Sequence, residues 1–313
     1  MNRPTALLLG TRGSDLALWQ ARRVAELISE RLGVECDIEI VKTRGDRIQD
    51  VAFQKMEGKG FFTKELQDAL AAGQVDLVVH SLKDLPTEEP EELEIIAIPE
   101  RAEASDLLLA RRGLLARNHA DPLGLPAGAV LGTSSLRRAS QALASSPGIA
   151  VRALRGNVPT RIRKLRDGNY DAILLAAAGV RRLDPEIDDL ECIELTPEVM
   201  LPAPGQGALA IEARAGDPIT QPLSALHDPA VARCVEAERR LLELLGGGCH
   251  LPLGCLANED GTGIRLRAVL GQIDDEVTRA TVSRVGGLAQ DPQTAARVCF
   301  EALRLAMPEV VHA

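Results

Sequence analysis

Short apolar runs alternate with amphipathic segments over more than half of the chain, and this alternation restricts the fold. Ala6 to Gly10 is typical of a buried strand, and Leu16 to Leu32 carries apolar residues at helical spacing. The same order returns at Ala129 to Gly132, followed by a helical pattern from Leu136 to Leu143. Strands that alternate with helices predict α/β units built on mostly parallel sheets.

The two starting points also resemble each other, since "LGTRGS" at 9–14 parallels "LGTSSLRR" at 131–138. We therefore predict two related α/β units. Further strands are expected at Val34 to Val41, Val75 to Val79, Ile95 to Ile98, Ile149 to Leu154 and Asp171 to Ala176, with helices at Phe62 to Ala72 and Thr160 to Arg166. Residues 43–60 are charged and glycine-rich with little periodicity, which predicts a mobile loop.

The pattern changes after Pro229. A helix is predicted over Val231 to Leu245, and a closing helix over Pro292 to Met307. Between them come three alternating segments joined by glycine- and aspartate-rich turns, at Leu253 to Asn258, Ile264 to Leu270 and Val277 to Val285. These segments predict a small antiparallel sheet, hence an α+β domain after the two α/β domains.

Charge and cysteine content exclude several classes of protein. The 313 residues carry a net charge of −9, which disfavours non-specific binding to nucleic acid or to an anionic membrane. No segment has the length of a membrane helix and no signal peptide is recognised, so we expect a cytoplasmic protein. The six cysteines form no C-x-x-C pair, which argues against a zinc ribbon or a disulfide framework.

Several predicted strands end in turns that carry arginine or hydroxyl groups and then open a helix. Ligands bind at this edge of open α/β sheets, and helix N-termini favour anions. A shared anion site is therefore predicted for a ligand with several negative groups; the alternative is solvated helix faces paired with the protein's own carboxylates. The residues concerned are Arg12, Ser14, Thr133, Ser134, Ser135, Arg137, Arg138, Arg155, Arg161, Arg181 and Arg182.

Two further segments suggest chemistry. His80 to Asp84 (HSLKD) ends a predicted strand, where an ionised Asp84 beside Lys83 could stabilise a cationic intermediate or shuttle a proton. The alternative is a surface ion pair. In GGGC the glycines at 246–248 present Cys249 for covalent chemistry, although an idle loop cysteine fits equally. A metal site with Cys255 or His250 matches no common zinc spacing, so no metal is predicted.

Taken together and in this order, the motifs identify the chain as resembling the porphobilinogen deaminase (hydroxymethylbilane synthase) family over essentially its whole length. The matching segments are "TRGSDLALWQA", "TRGD", "GKGFFTKEL", "VHSLKDLPT", "GTSSLRR", "LRGNVPTR", "LAAAGVRRL", "LPAPGQGALAIE" and "GGGC".

The resemblance implies a transferase of porphyrin (haem) biosynthesis. Enzymes of this family join four porphobilinogen molecules head to tail into the linear tetrapyrrole hydroxymethylbilane and release ammonia at each step. A dipyrromethane cofactor, bound as a thioether to the loop cysteine (here Cys249), primes the chain. The pyrroles carry acetate and propionate groups, so the growing chain is a polyanion. A non-catalytic module that binds a polyanion or another solute is the alternative, which Asp84 and Cys249 together argue against.

Residue roles follow from the same resemblance. Asp84 is the implied catalytic residue, and it also contacts the cofactor. Cofactor binding is implied for Cys249, Lys83, Thr133, Ser134, Ser135, Arg137, Arg138, Arg155 and Asn157. Substrate binding is implied for Arg12, Ser14, Arg155, Arg161, Arg182 and Gln206, and for Lys55, Lys59 and Phe62 in the mobile loop and at its edge. Gly246 and His250 depart from the common pattern beside the cysteine.

The resemblance further implies two α/β domains like type II periplasmic binding proteins and a smaller α+β domain with an antiparallel sheet. We expect residues 1–104 with 206–225 in domain 1, 105–201 in domain 2 and 229–313 in domain 3. The chain is expected to cross between domains 1 and 2 twice, so that the segment near 202–225 returns to domain 1. Domain 1 then contains the catalytic aspartate and the mobile loop, domain 2 the arginine-rich site and domain 3 the cofactor-bearing cysteine. A monomer is the family expectation.

Overall fold

The computed structural model of the chain describes residues 6–41, 63–115, 121–247 and 251–311. The predicted loop at 43–60 lies outside these ranges, as do Lys55, Lys59, Phe62, Cys249 and His250. The chain forms two compact units. Unit 1 comprises Met1–Ala102 with Gly207–Ala232, and unit 2 comprises Glu103–Gln206 with Arg233–Ala313.

Unit 1 is built on a five-stranded sheet in the order β2-β1-β3-β10-β4. Its strands are β1 (Ala6–Thr11), β2 (Glu35–Ile40), β3 (Leu77–Ser81), β4 (Leu93–Ala97) and β10 (Leu209–Arg214). β1 runs parallel to β2 and β3, whereas β10 runs antiparallel to β3 and β4. Helices α1 (Asp15–Leu32) and α2 (Lys64–Ala71) cover the sheet, and the 3₁₀ segments Leu82–Asp84 and Gln221–Leu226 complete the unit.

The apolar alternation explains why unit 1 folds this way. Leu7 and Leu9 pack with Val24 and Ile28 of α1 in one fully buried cluster. Leu66 and Leu70 of α2 pack on the neighbouring residues of the sheet in a second cluster with Val78. Each helix thus buries its apolar stripe against the sheet, as the spacing predicted.

Unit 2 contains a second five-stranded sheet in the order β7-β6-β8-β5-β9. Its strands are β5 (Asp106–Arg111), β6 (Val130–Gly132), β7 (Ala150–Arg152), β8 (Ala172–Ala176) and β9 (Leu190–Leu195). β6 runs parallel to β7 and β8, and β5 runs antiparallel to β8 and β9. The helices are α3 (Leu136–Ser145), α4 (Val158–Arg166) and α5 (Ala177–Leu183).

The C-terminal part of unit 2 is a three-stranded antiparallel sheet in the order β11-β12-β13. Its elements are α6 (Pro229–Leu244), β11 (Leu253–Glu259), β12 (Ile264–Ile273), β13 (Ala280–Ala289) and α7 (Pro292–Ala306). One face of this sheet buries Leu266 and Leu270 against Leu241 of α6 and Leu303 of α7. The mixed α/β fold with an antiparallel C-terminal sheet is therefore confirmed, while the three-domain boundaries stay a prediction.

Two glycines let the C-terminal sheet approach α3 closely within unit 2. A Cβ on Gly271 would lie 2.4 Å from Ser140 Cβ, and a Cβ on Gly254 would lie 2.7 Å from the Leu201 carbonyl oxygen. Such distances are shorter than van der Waals contact, so any side chain at either position would force the two layers apart. The segment that follows Cys249 therefore packs directly on the α3 region.

Most predicted elements are confirmed within a few residues, with two kinds of difference. Four elements, β5, β9, β10 and α5, were not predicted. β5 is a short continuous apolar run, which periodicity alone cannot assign to a strand. β13 begins at Ala280, three residues later than predicted. Asp274 accepts hydrogen bonds from the backbone amides of Thr278 and Arg279, and this extends the turn.

Candidate functional site

The carboxyl ends of β1 and β3 lie side by side in unit 1, because these strands are parallel neighbours. Just beyond β1, the Ser14 side chain accepts the Ala17 amide at 3.4 Å and caps α1. The buried Thr11 hydroxyl donates to the Ala17 carbonyl at 3.1 Å. These contacts hold the turn that presents the half-buried Arg12 at this edge.

Asp84 lies at the same edge, at the end of the 3₁₀ segment that follows β3. Leu82 is 1% exposed and anchors the segment in the core, and its amide donates to the Ala208 carbonyl at 3.0 Å. The Asp84 side chain is exposed, while Lys83 is half-buried. The anchored leucine thus fixes a turn that projects the Asp84 carboxylate into solvent.

A buried polar cluster supports this turn from behind. His80 Nε2 and Glu212 Oε2 lie 2.9 Å apart, and Gln67 Nε2 donates to Glu212 Oε1 at 2.7 Å. At the end of β3, Gln20 Nε2 donates to Ser81 Oγ at 2.8 Å and ties α1 to the strand. β3 is therefore held by neighbours on both sides immediately before the catalytic candidate.

Unit 2 repeats this edge with β6, β7 and β8. The hydroxyl candidates there shape the turns. Ser135 caps α3 by accepting the Arg138 amide at 3.4 Å, and the buried Thr133 Oγ1 accepts the Ser135 amide at 3.2 Å. Ser134 Oγ donates to the Leu154 carbonyl at 2.8 Å, and Asn157 Oδ1 caps α4 by accepting the Thr160 amide at 3.0 Å. Two capped helices therefore open at one edge of this sheet.

Arg137 and Arg138 share one buried carboxylate at this edge. Arg137 Nη1 donates to Asp106 Oδ2 at 2.6 Å, and Arg138 Nη2 donates to Asp106 Oδ1 at 2.7 Å. The two arginines are 5% and 6% exposed and Asp106 is fully buried. Burial raises the pKa of the Asp106 carboxyl, but the two guanidiniums outweigh it and hold the pKa well below its usual value.

The remaining described candidates lie on the same side of unit 2 or in its interior. Arg155 is half-buried in the β7–α4 turn, and Arg161 Nε donates to the Gly156 carbonyl at 2.7 Å. Arg182 is half-buried in the last turn of α5, the helix that follows β8. Its neighbour Arg181 is exposed and pairs with Glu194 of β9, which is the alternative stated for these arginines. Gln206 is buried, and its amide donates to the Ala104 carbonyl at 2.6 Å and to Asp106 Oδ1 at 3.0 Å. Within unit 2, Gln206 therefore supports Asp106.

Both flanks of the Cys249 segment are described, although Cys249 itself is not. Gly246 and Gly247 follow α6 with φ of 90° and 55°, values that favour glycine and end the helix. On the other flank, the Cys255 amide donates to the Pro202 carbonyl at 2.8 Å. The adjacent Leu201 carbonyl accepts Arg137 Nη1 at 2.8 Å. The chain after the Cys249 segment therefore contacts the 201–202 turn, which also binds Arg137.

Sequence reasoning missed Asp106. The one signal for it in the sequence is that this acidic residue begins the apolar run DLLLAR. A charged residue at the start of a buried strand needs a partner, and this requirement marks it as a candidate.

In the described parts of the chain, no three His, Cys, Asp or Glu side chains are grouped as ligands of a metal ion. None of the described helices is both long and apolar enough to cross a bilayer.

Comparisons with known proteins cover nearly the whole chain. Residues 7–222 match the family model "Porphobilinogen deaminase, dipyromethane cofactor binding domain", and residues 232–303 match "Porphobilinogen deaminase, C-terminal domain". The porphobilinogen deaminase of Thiobacillus denitrificans is 43% identical over 302 residues, covering 95% of this chain and 94% of its own. That of Syntrophobacter fumaroxidans is 46% identical over 286 residues, covering 90% and 89%.

Solved structures give more distant likenesses. An amino acid ABC transporter substrate-binding protein, AbpA from Streptococcus pneumoniae, is 13% identical with a TM-score of 0.38, covering 77% of this chain and 90% of its own. The periplasmic VFT2 domain of Bordetella pertussis BvgS is 12% identical with a TM-score of 0.42, covering 71% and 85%.

Proposed function

The chain belongs to the porphobilinogen deaminase family. On that basis we propose which of its residues bind the cofactor, which bind the substrate and which transfers protons. The family's reaction is the transferase step of tetrapyrrole biosynthesis that joins porphobilinogen units on a dipyrromethane cofactor. Porphobilinogen is therefore the substrate. The assignment of individual residues to cofactor, substrate and proton transfer is our proposal.

One observation supports the proposal most directly: two neighbouring guanidiniums are buried at the strand-end edge of unit 2, and among the described residues a single carboxylate, that of Asp106, pairs with both. Two positive groups and one negative group leave one net positive charge. Burying unbalanced charge is costly unless it serves a partner. Carboxylate groups of a pyrrole chain are partners of matching sign, and guanidiniums bind carboxylates at two points.

The donor set in unit 2 fits a dipyrromethane cofactor. Besides Arg137 and Arg138, the edge carries Arg155, two capped helix N-termini and the hydroxyls of Thr133, Ser134 and Ser135. Arg137 Nε is buried and has no hydrogen-bond partner in the structure, so it has a donor left for a ligand. We propose that these residues, with Asn157 and Lys83, bind the carboxylates of the cofactor.

When bound, the dipyrromethane supplies the pyrrole carbon to which the first porphobilinogen is joined. We propose that Cys249 carries it through a thioether, as the glycines before the cysteine and the family motif suggest. Position 249 belongs to unit 2, the unit that also contains Arg137, Arg138, Arg155 and Asn157, which would hold carboxylates of the cofactor.

We propose that Asp84 is the catalytic residue. Its exposed carboxylate lies on a turn anchored by Leu82, so the charge is presented to a ligand on a rigid base. There it would stabilise positive charge that develops as the amino group leaves as ammonia, and it would hold the proton of the pyrrole nitrogen. The preceding Lys83 supplies a cation for a carboxylate of the same pyrrole.

Substrate carboxylates are assigned to Arg12, Ser14, Arg155, Arg161 and Arg182, with Lys55, Lys59 and Phe62 contributing from the segment outside the described residues. Gln206 was predicted to line the substrate site. Its contacts with Asp106 and Ala104 suggest that it acts through Asp106. A monomer located in the cytoplasm is part of the same proposal and rests on family membership.

The test is the mass of the intact protein. We expect the purified chain to be heavier than its sequence by one dipyrromethane and to react with an acidic aldehyde reagent for pyrroles. Cys249→Ser should lose the added mass and the colour. Cys192→Ser, at an exposed cysteine of β9, is the matched control and should retain both. A chain that binds pyrrole carboxylates without added mass or turnover would instead support a non-catalytic binding module.

A further inference from the structure

We propose that Asp106 is a positioning residue, which fixes the guanidiniums of Arg137 and Arg138 in the arrangement that receives the carboxylates of cofactor and substrate. This inference rests on the proposed function of the strand-end edge. Asp106 itself is fully buried, so it acts through the two arginines.

Each oxygen of Asp106 holds a different arginine. Oδ2 accepts Arg137 Nη1 at 2.6 Å, while Oδ1 accepts Arg138 Nη2 at 2.7 Å and Nε at 3.1 Å. The Nε and Nη2 donors of Arg138 thus converge on one oxygen, Oδ1, which holds that oxygen near the guanidinium plane between the two nitrogens. Gln206 Nε2 donates to Oδ1 at 3.0 Å and limits rotation of the carboxylate.

A backbone carbonyl holds each guanidinium at a second point. Arg137 Nη1 also donates to the Leu201 carbonyl at 2.8 Å, and Arg138 Nη1 donates to the Leu174 carbonyl at 3.1 Å. Gln141 in turn clamps Leu201, because its Nε2 donates to the Leu201 carbonyl at 3.0 Å and its Oε1 accepts the Leu201 amide at 2.8 Å. The arrangement is therefore rigid before any ligand is present.

Charge explains why a carboxylate is needed at this place. Two adjacent guanidiniums repel each other, and burial weakens the screening that water would provide. Asp106 reduces the local charge from two to one, so the pair can stay together and still attract an anion. Without that carboxylate, we expect the guanidiniums to separate and to turn toward solvent, away from the positions that bind carboxylates.

A purely structural role predicts something different, and Asp171 provides the comparison. Asp171 precedes β8 in the same unit and pairs with Arg111, which ends β5, the strand that Asp106 begins. Asp171 also accepts the Val130 amide at 2.8 Å. Both carboxylates therefore brace β5, one at each end, but only Asp106 contacts the arginines at the strand-end edge.

The experiment compares Asp106→Asn with Asp171→Asn in the full chain. Apo-protein of each variant is incubated with porphobilinogen, and the rate at which the protein gains the mass of dipyrromethane is followed by intact mass spectrometry. Thermal unfolding is measured in parallel. We expect Asp106→Asn to slow the gain by about 30-fold or more, as loss of one member of a buried charge pair does at other binding sites. Asp171→Asn should stay within about twofold of wild type.

Wild-type rates in a folded Asp106→Asn protein would overturn the inference, and so would slowing in both variants in proportion to their losses of thermal stability. If Asp106→Asn does not fold, Asp106→Glu takes its place. Its charge is kept but displaced by one methylene, so a reduced rate supports positioning and an unchanged rate overturns it. Wild-type protein that never gains the added mass would refute the proposed function itself, which separates the two failures.

Discussion

The two five-stranded sheets have the same arrangement of strands, called the frame below, and differ in the side chains at the carboxyl ends of their parallel strands. Both have the strand order 2-1-3-n-4, where n is an antiparallel strand. In unit 1 this strand is β10, from a distant part of the chain, and in unit 2 it is β5, which directly precedes β6. In both, an aspartate just before the third strand binds a backbone amide of the first strand. Asp76 accepts the Leu8 amide and Asp171 accepts the Val130 amide, each at 2.8 Å. Each also pairs with an arginine of the antiparallel strand, Arg214 or Arg111.

The difference lies at positions that correspond in the two frames. Leu209 faces Ser81, the last residue of β3, just as Asp106 faces Ala176, the last residue of β8. Two and three residues after the capping serines, α1 has Leu16 and Ala17 where α3 has Arg137 and Arg138. The buried charges of unit 2 thus occupy places that are apolar in unit 1.

In the turn after the third strand, by contrast, the charged residue is in unit 1. Three residues beyond the third strand, unit 1 presents the exposed Asp84, whereas unit 2 has the buried Gly179 of α5. The sheet of unit 1 therefore exposes a carboxylate at this place, whereas the sheet of unit 2 holds two buried guanidiniums at its edge. The comparison teaches that the frame sets where groups lie, while a few side chains at the edge set the sign of the charge.

The largest effect on catalysis is expected from removing the Asp84 carboxylate of unit 1. Asp84→Asn should lower kcat by about 10²–10⁴-fold, the usual contribution of a positioned acid or base. Because Asp84 is exposed, thermal stability should stay near wild type. Porphobilinogen consumption measures the effect, with the exposed Asp68→Asn of α2 as control. Substantial turnover in Asp84→Asn would remove the assigned role.

The next effect comes from giving unit 2 the residues of unit 1. Arg137→Leu breaks a buried ion pair and should cost about 3–5 kcal/mol of unfolding free energy. The triple variant Asp106→Leu, Arg137→Leu, Arg138→Ala removes every charge together and should recover much of that loss, because packed apolar groups often replace buried ion networks without penalty. Urea denaturation measures both. Neither variant should acquire the cofactor.

A triple variant that is less stable than Arg137→Leu would contradict this comparison. It would show that the apolar packing of unit 1 cannot be transferred to the corresponding places in unit 2.

The smallest effect concerns Asp171, the aspartate before the third strand of unit 2. The Val130 amide, together with Arg111, holds the pKa of Asp171 below its ordinary value. A lowered pKa stabilises the folded state at neutral pH, and this stabilisation is lost as the pH falls through the folded pKa. Asp171→Asn should therefore cost about 1 kcal/mol at neutral pH, because the ion pair is partly exposed, and nearly nothing in acid. Denaturation at both pH values tests this; a cost that does not shrink in acid refutes it.

Local sequence patterns are enough to predict the order and type of most elements. Apolar spacing is a local property, so the periods of α1 and α6 and of the alternating β11 and β12 could be read directly. The capping serines Ser14 and Ser135 mark helix starts for the same local reason. The family motifs in the sequence also indicate Asp84, Arg137 and Arg138 as candidate site residues.

Which distant residues meet depends on the folded arrangement of the chain. The partnership of Asp106 with Arg137 and Arg138 joins residues about thirty positions apart, and that of Gln206 with Asp106 spans a hundred. The insertion of β10 between β3 and β4 likewise depends on pairing across the chain. Such contacts form because a buried charge or an unpaired strand edge must find a partner somewhere in the folded molecule, and local sequence pattern carries no record of where.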